Sequence, residues 1–402
     1  MKTRAWIFFT IAIIVSNLAS VKGQDGNPRD LNYLLSHEKK LSTFYSFIQK
    51  FPRVLLKLPS YSGVTILAPN NEAFKKIPYT VLDEAFKNED QDIVTSVLEY
   101  HILQGTKDAA SLVPGSPIFL PTLLTSTKWT NVSGGQRVQS VKQAGNAVIF
   151  VSGKGERSTL TQPDLAFSGG KVQVINSILI PPSNITETAK SFGLDSFRGA
   201  LYASGRTSDL IDNPNLTIFA PNNQAFEVIG PAITKMTIQE LGSIIDYHVL
   251  PELVFSTALI NQTNFVTKQG QEINILHSGN TIYVNSAQLV STDILLANGV
   301  LHVIDNVLNP QAKDVQPNPE IASQAPVYFG ASEVDEPPFT SAFPCTVSCP
   351  QTLTTSTDAT PSAKNSFHTS RSKALGVAIP CETAVKKAAG LMMVLGGAAM
   401  LI

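Results

Sequence analysis

Cysteine is nearly absent from this 402-residue chain: three occur, and none precedes Cys345. No disulfide can form within the first 344 residues, so whatever folds there is held by its core, and 43% hydrophobic residues suffice for that. Charge is also sparse. Charged residues make up 15% of the chain and the net charge is −1, which leaves no basic field to attract nucleic acid. The signatures of common catalytic and ion sites are missing: there is no G-x-S-x-G, no H-E-x-x-H, no phosphate-binding loop and no EF-hand loop. Gly153-Lys154-Gly155 reads as a turn, and Gly169-Gly170-Lys171 leads into a strand where a phosphate loop needs a helix. The chain is therefore not expected to be an enzyme or to need a cofactor. Long apolar runs are absent as well. The two that occur, Ala5 to Val15 and Ala388 to Ile402, fall short of the roughly 20 residues that a spanning helix requires.

What the chain does have is repetition. Val64-Thr65-Ile66-Leu67-Ala68-Pro69-Asn70-Asn71-Glu72-Ala73-Phe74 returns as Leu216-Thr217-Ile218-Phe219-Ala220-Pro221-Asn222-Asn223-Gln224-Ala225-Phe226. Each copy reads as a strand buried on both faces, stopped by Pro, followed by an Asn pair whose side chains cap the N-terminus of a helix. Leu98-Glu99-Tyr100-His101-Ile102-Leu103 recurs as Ile245-Asp246-Tyr247-His248-Val249-Leu250. Val174-Ile175-Asn176-Ser177-Ile178-Leu179 recurs as Val303-Ile304-Asp305-Asn306-Val307-Leu308. The blocks keep their order and lie about 130 to 150 residues apart. That spacing makes a tandem of two domains rather than a solenoid.

The three ordered blocks resemble the fasciclin domain. The second copy is the fuller match, ending in Asn298-Gly299-Val300-Leu301-His302-Val303-Ile304-Asp305-Asn306-Val307-Leu308. The first copy departs from it with Gly169-Gly170-Lys171-Val172-Gln173 at the corresponding place. The resemblance covers about residues 30 to 310 and implies an α+β fold: two tandem fasciclin-like domains, 30–182 and 185–310, each a β-sheet wedge with helices packed on it. It also implies a role in cell–cell, cell–matrix or cell–wall adhesion, with surface or wall glycans, glycoproteins or matrix proteins as partners. By the same resemblance an adhesion surface would lie at Tyr100, His101, Tyr247 and His248. Read from their chemistry alone, these side chains hydrogen-bond backbone groups and lock a helix-to-strand corner. His302, alternating with Val303 in a strand, reads as structural. No Arg-Gly-Asp triplet is present. A structural wall spacer, or a module binding a polysaccharide or a small hydrophobic ligand, are the other readings; Trp129 is the aromatic that suits carbohydrate binding.

Periodicity gives the local expectations. Helices are predicted over 41–58, broken at Pro52, over most of 81–103, and over 196–212 and 237–249. Hairpins are predicted at Gly145-Asn146 and at Ser278-Gly279-Asn280. From Tyr100 to Ile175 the first copy is 18 residues longer than the second is from Tyr247 to Ile304. The excess falls in a Pro-, Gly-, Ser- and Thr-rich stretch, 108–135, expected to be a surface excursion dispensable to the fold. Pro181-Pro182 forms a very short linker, which predicts adjacent domains.

The ends of the chain carry processing signals. Lys2 and Arg4 before an apolar run, with Val21-Lys22-Gly23 placing small or β-branched residues at the −3 and −1 positions, read as a secretory signal over 1–23. After residue 310, eight Pro lie between 310 and 350, and 13 of the 27 residues from 346 to 372 are Ser or Thr. This is expected to be an extended, O-glycosylated stalk over 311–372. A small residue, a polar spacer and the terminal apolar run then read as a GPI-attachment signal over 377–402. The attachment residue is Gly376 or, alternatively, Ser372, giving a lipid anchor to the outer face of the plasma membrane or the wall. Cys345 and Cys349 remain as an even pair, open to a small disulfide; no Cys or His stands beside them at metal-ligand spacing. Sequons at Asn131, Asn184, Asn215 and Asn261 are candidate N-glycosylation sites.

Overall fold

The computed structural model describes residues 29–58, 63–312 and 314–344, all within one compact unit. The expected signal segment, Cys345, Cys349, Ser372, Gly376 and the terminal apolar run lie outside the described residues.

Each half of the chain builds one seven-stranded sheet. The first contains β1 (Val64–Pro69), β2 (Ile102–Gln104), β3 (Ile118–Pro121), β4 (Arg137–Lys142), β5 (Val148–Val151), β6 (Arg157–Phe167) and β7 (Gly170–Ile175), in the order β2-β1-β7-β6-β5-β4-β3. The second contains β8 (Leu216–Pro221), β9 (Val249–Leu250), β10 (Thr263–Val266), β11 (Glu272–Ser278), β12 (Thr281–Val284), β13 (Ala287–Leu296) and β14 (Gly299–Ile304). Its order, β10-β11-β12-β13-β14-β8-β9, is the same element for element. Only β1/β7 and β8/β14 pair in parallel. These strands are buried along their whole length or nearly so, as suits their mostly apolar and β-branched residues. The first sheet curls until Leu103 bridges Thr122, bringing its two edges together.

Both faces of each sheet are covered. Helices Ser42–Lys50 and Gln91–Tyr100 pack Phe44, Ile48, Val94 and Val97 against Ile66, Ala68 and Val174. The inside of the curl holds Leu67, Tyr100, Leu103, Val138, Phe150 and Leu179. In the second domain Phe197, Ile229 and Ile245 cover the outer face, while Phe219, Tyr247, Ile275 and Leu308 fill the inner one.

The Asn pairs divide their work. Asn70 and Asn222 cap the helices that follow them, accepting from Ala73 N–H at 2.9 Å and Ala225 N–H at 2.8 Å. The second Asn of each pair instead reaches the first long helix of its domain. Asn71 accepts from Thr43 N–H and Asn223 from Ser196 N–H, at 3.0 and 3.1 Å. The glycine shared by the two closing blocks is there for space: a Cβ on Gly170 would stand 1.9 Å from the Val64 carbonyl oxygen, and one on Gly299 would stand 1.9 Å from that of Leu216.

Where the two copies differ in sequence, the structure solves one problem twice. Gln173 and His302 occupy the same register, opposite Leu67 and Phe219. Both meet the bulge of the neighbouring strand, at Asp164 and Asp293, each with positive φ. Gln173 Nε2 donates to Asp164 at 2.8 Å, whereas His302 Nδ1 accepts from Asp293 N–H at 3.3 Å.

Two expectations change. The stretch 108–135 is not an excursion from the surface. It contributes β3 and the buried residues Leu120, Leu124, Thr130 and Val132, and its tip makes the contact between the domains. Residues 314–344, assigned by composition to the stalk, fold back along the second domain. Gln324 N–H donates to Asp305, Tyr328 to the Leu308 carbonyl, and Val334 N–H to the Glu227 carbonyl, at 2.9, 2.9 and 3.1 Å. Phe339 packs edge-on to Phe226, and the Arg198 guanidinium lies 3.9 Å from the Phe343 ring centroid. The prolines forbid regular structure, but Tyr328, Phe339 and Phe343 supply apolar area that a compositional average hides.

Candidate functional site

The Tyr-His pairs are the first candidates, and the structure encloses them. Tyr100, His101, Tyr247 and His248 are each at most 1% exposed, so in this fold they present no adhesion surface. The reason lies at the helix ends. Gln91–Tyr100 and Ile238–Tyr247 stop where their chains turn into β2 and β9, and the last residue of each helix points into the curl of the sheet. The Tyr100 hydroxyl donates to the Arg137 carbonyl at 2.8 Å, and that of Tyr247 to the Glu272 carbonyl at 3.0 Å, both at the start of equivalent strands.

Each imidazole uses both nitrogens on backbone. His101 Nδ1 donates to the Val97 carbonyl at 2.7 Å, and its Nε2 accepts from Leu179 N–H at 2.9 Å. His248 repeats this with Ile244 and Leu308, at 2.8 and 2.9 Å. The tautomer is fixed by the partners, since a carbonyl can only accept and an amide can only donate. Burial pushes both rings down to about 4, against a weaker upward pull from the accepting carbonyl. No lone pair is left to take a substrate proton. The nearby carboxylates face elsewhere: Glu99 pairs with Lys57 at 2.7 Å and Asp246 with Arg206 at 2.8 Å. His302 is also buried and neutral-leaning, donating from Nε2 to the Val254 carbonyl at 3.0 Å.

The surface that does gather polar and aromatic groups is the junction of the domains. The tip of the inserted stretch crosses to the second domain, where Asn131 N–H and the Thr130 hydroxyl donate to the Ala297 carbonyl at 2.8 and 3.0 Å. Asn131 Nδ2 donates to the Asp212 carbonyl at 2.7 Å. Ser133 and Asn215 exchange two hydrogen bonds, 2.8 and 2.7 Å. Fully buried Gln136 donates to the Leu296 carbonyl at 3.0 Å. On another side, Phe119 stacks on Phe255 with ring centroids 3.8 Å apart.

Between these contacts lies a cleft of about 540 Å³. Its walls come from helix Gln91–Tyr100 (Ile93, Val97), the inserted tip (Lys128, Trp129, Asn131), the linker (Pro181, Pro182) and the second domain (Asn184, Glu187, Asn298). Lys128 is held by Asp92 at 2.7 Å and sits 5.2 Å from the centre of the Trp129 ring. Asn298 is 2% exposed and gives both amide hydrogens, to the Leu210 and Asn213 carbonyls at 2.7 Å each, while its Oδ1 has no partner among the described residues. A cleft of this size with an aromatic and two prolines on its wall suits a small ligand. Among the described residues no three His, Cys, Asp or Glu are placed to hold a metal ion, and no helix is long and apolar enough to cross a membrane.

The sequons separate by position. Asn131 and Asn215 lie in the domain contact, Asn184 on the cleft wall, and Asn261 on an exposed turn, where its Oδ1 accepts from His277 N–H. Trp129 was visible in the sequence as a lone aromatic. Gln136 gave no signal, because its role depends on a domain contact that no local pattern encodes.

Comparison with known proteins matches the two halves of the chain to one family. The family described as the fasciclin domain matches residues 39–181 and 192–310. A fasciclin-like arabinogalactan protein of Arthroderma benhamiae is 30% identical over 315 residues, covering 77% of this chain and 73% of its own. Another, from Phaeosphaeria nodorum, is 27% identical over 280 residues, covering 69% and 88% respectively. A FAS1 domain pair from the insect cell adhesion molecule fasciclin I aligns with 69% of this chain and 99% of its own, at 19% identity and a TM-score of 0.34.

Proposed function

The chain belongs to the fasciclin domain family, and on that premise we propose that it is a secreted, GPI-anchored surface glycoprotein acting in adhesion. The observation that carries the reading is the tandem match of both halves of the chain to the fasciclin domain, while the imidazoles of His101 and His248 are spent on backbone and are not free to act as a base. Such a body works by being displayed. The apolar C-terminal run and the small residues Gly376 and Ser372 supply the expected anchor, and the Ser/Thr-rich stretch 346–372 the expected spacer. That its relatives are named fasciclin-like arabinogalactan proteins fits a glycan-bearing spacer. The partners are surface or wall glycans, glycoproteins or matrix proteins, met by surfaces of the domain pair other than the buried Tyr-His corners.

The test compares the attachment of cells that display the full chain with that of cells lacking it, on sister cells and on wall or matrix material. Greater attachment by the displaying cells, competed by added soluble protein, is the expected result. Equal attachment overturns the adhesion reading.

A further inference from the structure

We propose that the cleft between the domains holds the first sugar of an N-linked glycan on Asn184, which makes that glycan an internal brace of the domain pair.

Three observations converge. The first concerns the asparagine. Within the sequon Asn184-Ile185-Thr186, Asn184 Oδ1 is already used, accepting from Glu187 N–H at 3.0 Å and from the Thr186 hydroxyl at 2.9 Å. Its Nδ2 makes no hydrogen bond among the described residues and belongs to a residue on the cleft wall. The second concerns the facing surface. Trp129, Pro181 and Pro182 present flat apolar area of the kind that packs against the C–H face of a pyranose ring. The third is the volume of the cleft, about 540 Å³, which lies inside the range of roughly 300–1,000 Å³ typical of small-ligand sites.

The other sequons do not fit this role. The side-chain amide of Asn131, also on the wall, is directed to the Asp212 carbonyl, and that of Asn215 to the Ser133 hydroxyl. Asn261 does not line the cleft. The modification needs a lipid-pyrophosphate-linked oligosaccharide as donor. A bond forms between Asn184 Nδ2 and the anomeric carbon of N-acetylglucosamine, the bond from that carbon to the pyrophosphate oxygen breaks, one Nδ2 proton is lost, and the lipid pyrophosphate leaves. Transfer occurs before the domains dock, and docking then encloses the sugar.

The experiment uses the full chain made in an N-glycosylating host and treated in its native state with a peptide:N-glycanase, with release at each sequon followed by mass spectrometry. The expected result is an occupied Asn184 whose glycan is released about tenfold or more slowly than in the Trp129→Ala variant, the protection of a site that must open before it is cut. Should Trp129→Ala fail to fold, Asn184→Gln made in an N-glycosylating and in a non-glycosylating host gives a second reading: loss of the helix cap lowers the thermal midpoint in both, and loss of the glycan is expected to make the drop larger in the glycosylating host, whereas Asn261→Gln leaves it unchanged. An unmodified Asn184, release as fast as in Trp129→Ala, or a drop on Asn184→Gln no larger in the glycosylating host than in the other overturns the proposal.

Discussion

The main-chain N–H of Leu179 donates to Nε2 of His101 at 2.9 Å, joining the exit of the closing strand to the end of a helix 78 residues earlier in the chain. His248 and Leu308 form the same join in the second domain at 2.9 Å. In both, the ring also caps a helix carbonyl one turn back, so one neutral imidazole ties three backbone segments at the base of the fold.

This arrangement makes the protein acid-sensitive. In the folded state both rings titrate at about 4, against an ordinary 6.5 when unfolded. Below 6.5 the unfolded chain takes up protons that the folded chain refuses. Stability is therefore complete above pH 6.5 and is lost as pH falls toward 4, by about 2 to 3 kcal/mol for each ring at pH 4.5. His302 adds to the loss, while Asp246 and Asp305, raised by burial, act in the opposite direction at lower pH. Urea unfolding at pH 7 and pH 4.5 measures the difference; an unchanged midpoint contradicts the assignment of neutral rings.

Replacing one ring tests the same join directly. His248→Leu leaves Leu308 N–H and the Ile244 carbonyl without partners in a buried site, at roughly 1 to 3 kcal/mol each. The variant is expected to be less stable than the wild type at pH 7 by on the order of 3 kcal/mol. It is also expected to lose less stability on acidification, since one of the acid-labile rings is gone. Urea unfolding at the two pH values reads both effects.

The contact between the domains predicts coupled unfolding. Gln136 is fully buried, donates to the Leu296 carbonyl, and accepts from Arg137 N–H at 2.7 Å. Gln136→Leu strips these groups of partners at the junction. The wild-type chain is expected to give one calorimetric transition and the variant two, the second domain melting apart from the first.

Much of this fold was legible because its information is local. Two strands buried on both faces, each ended by Pro and followed by an Asn cap, follow from an eleven-residue block, and the Gly145-Asn146 hairpin from its turn residues. The sequence also offered the helix-to-strand corner that the Tyr-His pairs occupy, but not their burial, since a polar pair at a helix end looks alike whether it faces water or core. Tertiary context decided the rest. The Ser/Thr-rich tip at 126–136 is a connector because the second domain is there to receive it. Residues 314–344 look like a stalk until Phe339 is seen against Phe226.

That last contact is testable. A Cβ on Gly199 would stand 2.2 Å from the Phe339 carbonyl oxygen, which is backbone and cannot swing aside. Gly199→Val is therefore expected to lift the strap. Limited proteolysis should then cut between residues 330 and 344 much faster than in the wild type, with the second domain destabilised by about 1 to 3 kcal/mol. Equal cleavage would place no weight on the strap.

The most direct test of the account as a whole is made on intact cells that display the full chain. They are treated with a phosphatidylinositol-specific phospholipase, and released protein and cell attachment are measured together. Release of a chain lacking the apolar stretch Ala388 to Ile402 is expected, with attachment falling in step. Release that leaves attachment unchanged contradicts the adhesion reading; protein that stays on the cell and still carries that stretch by mass spectrometry contradicts the lipid anchor.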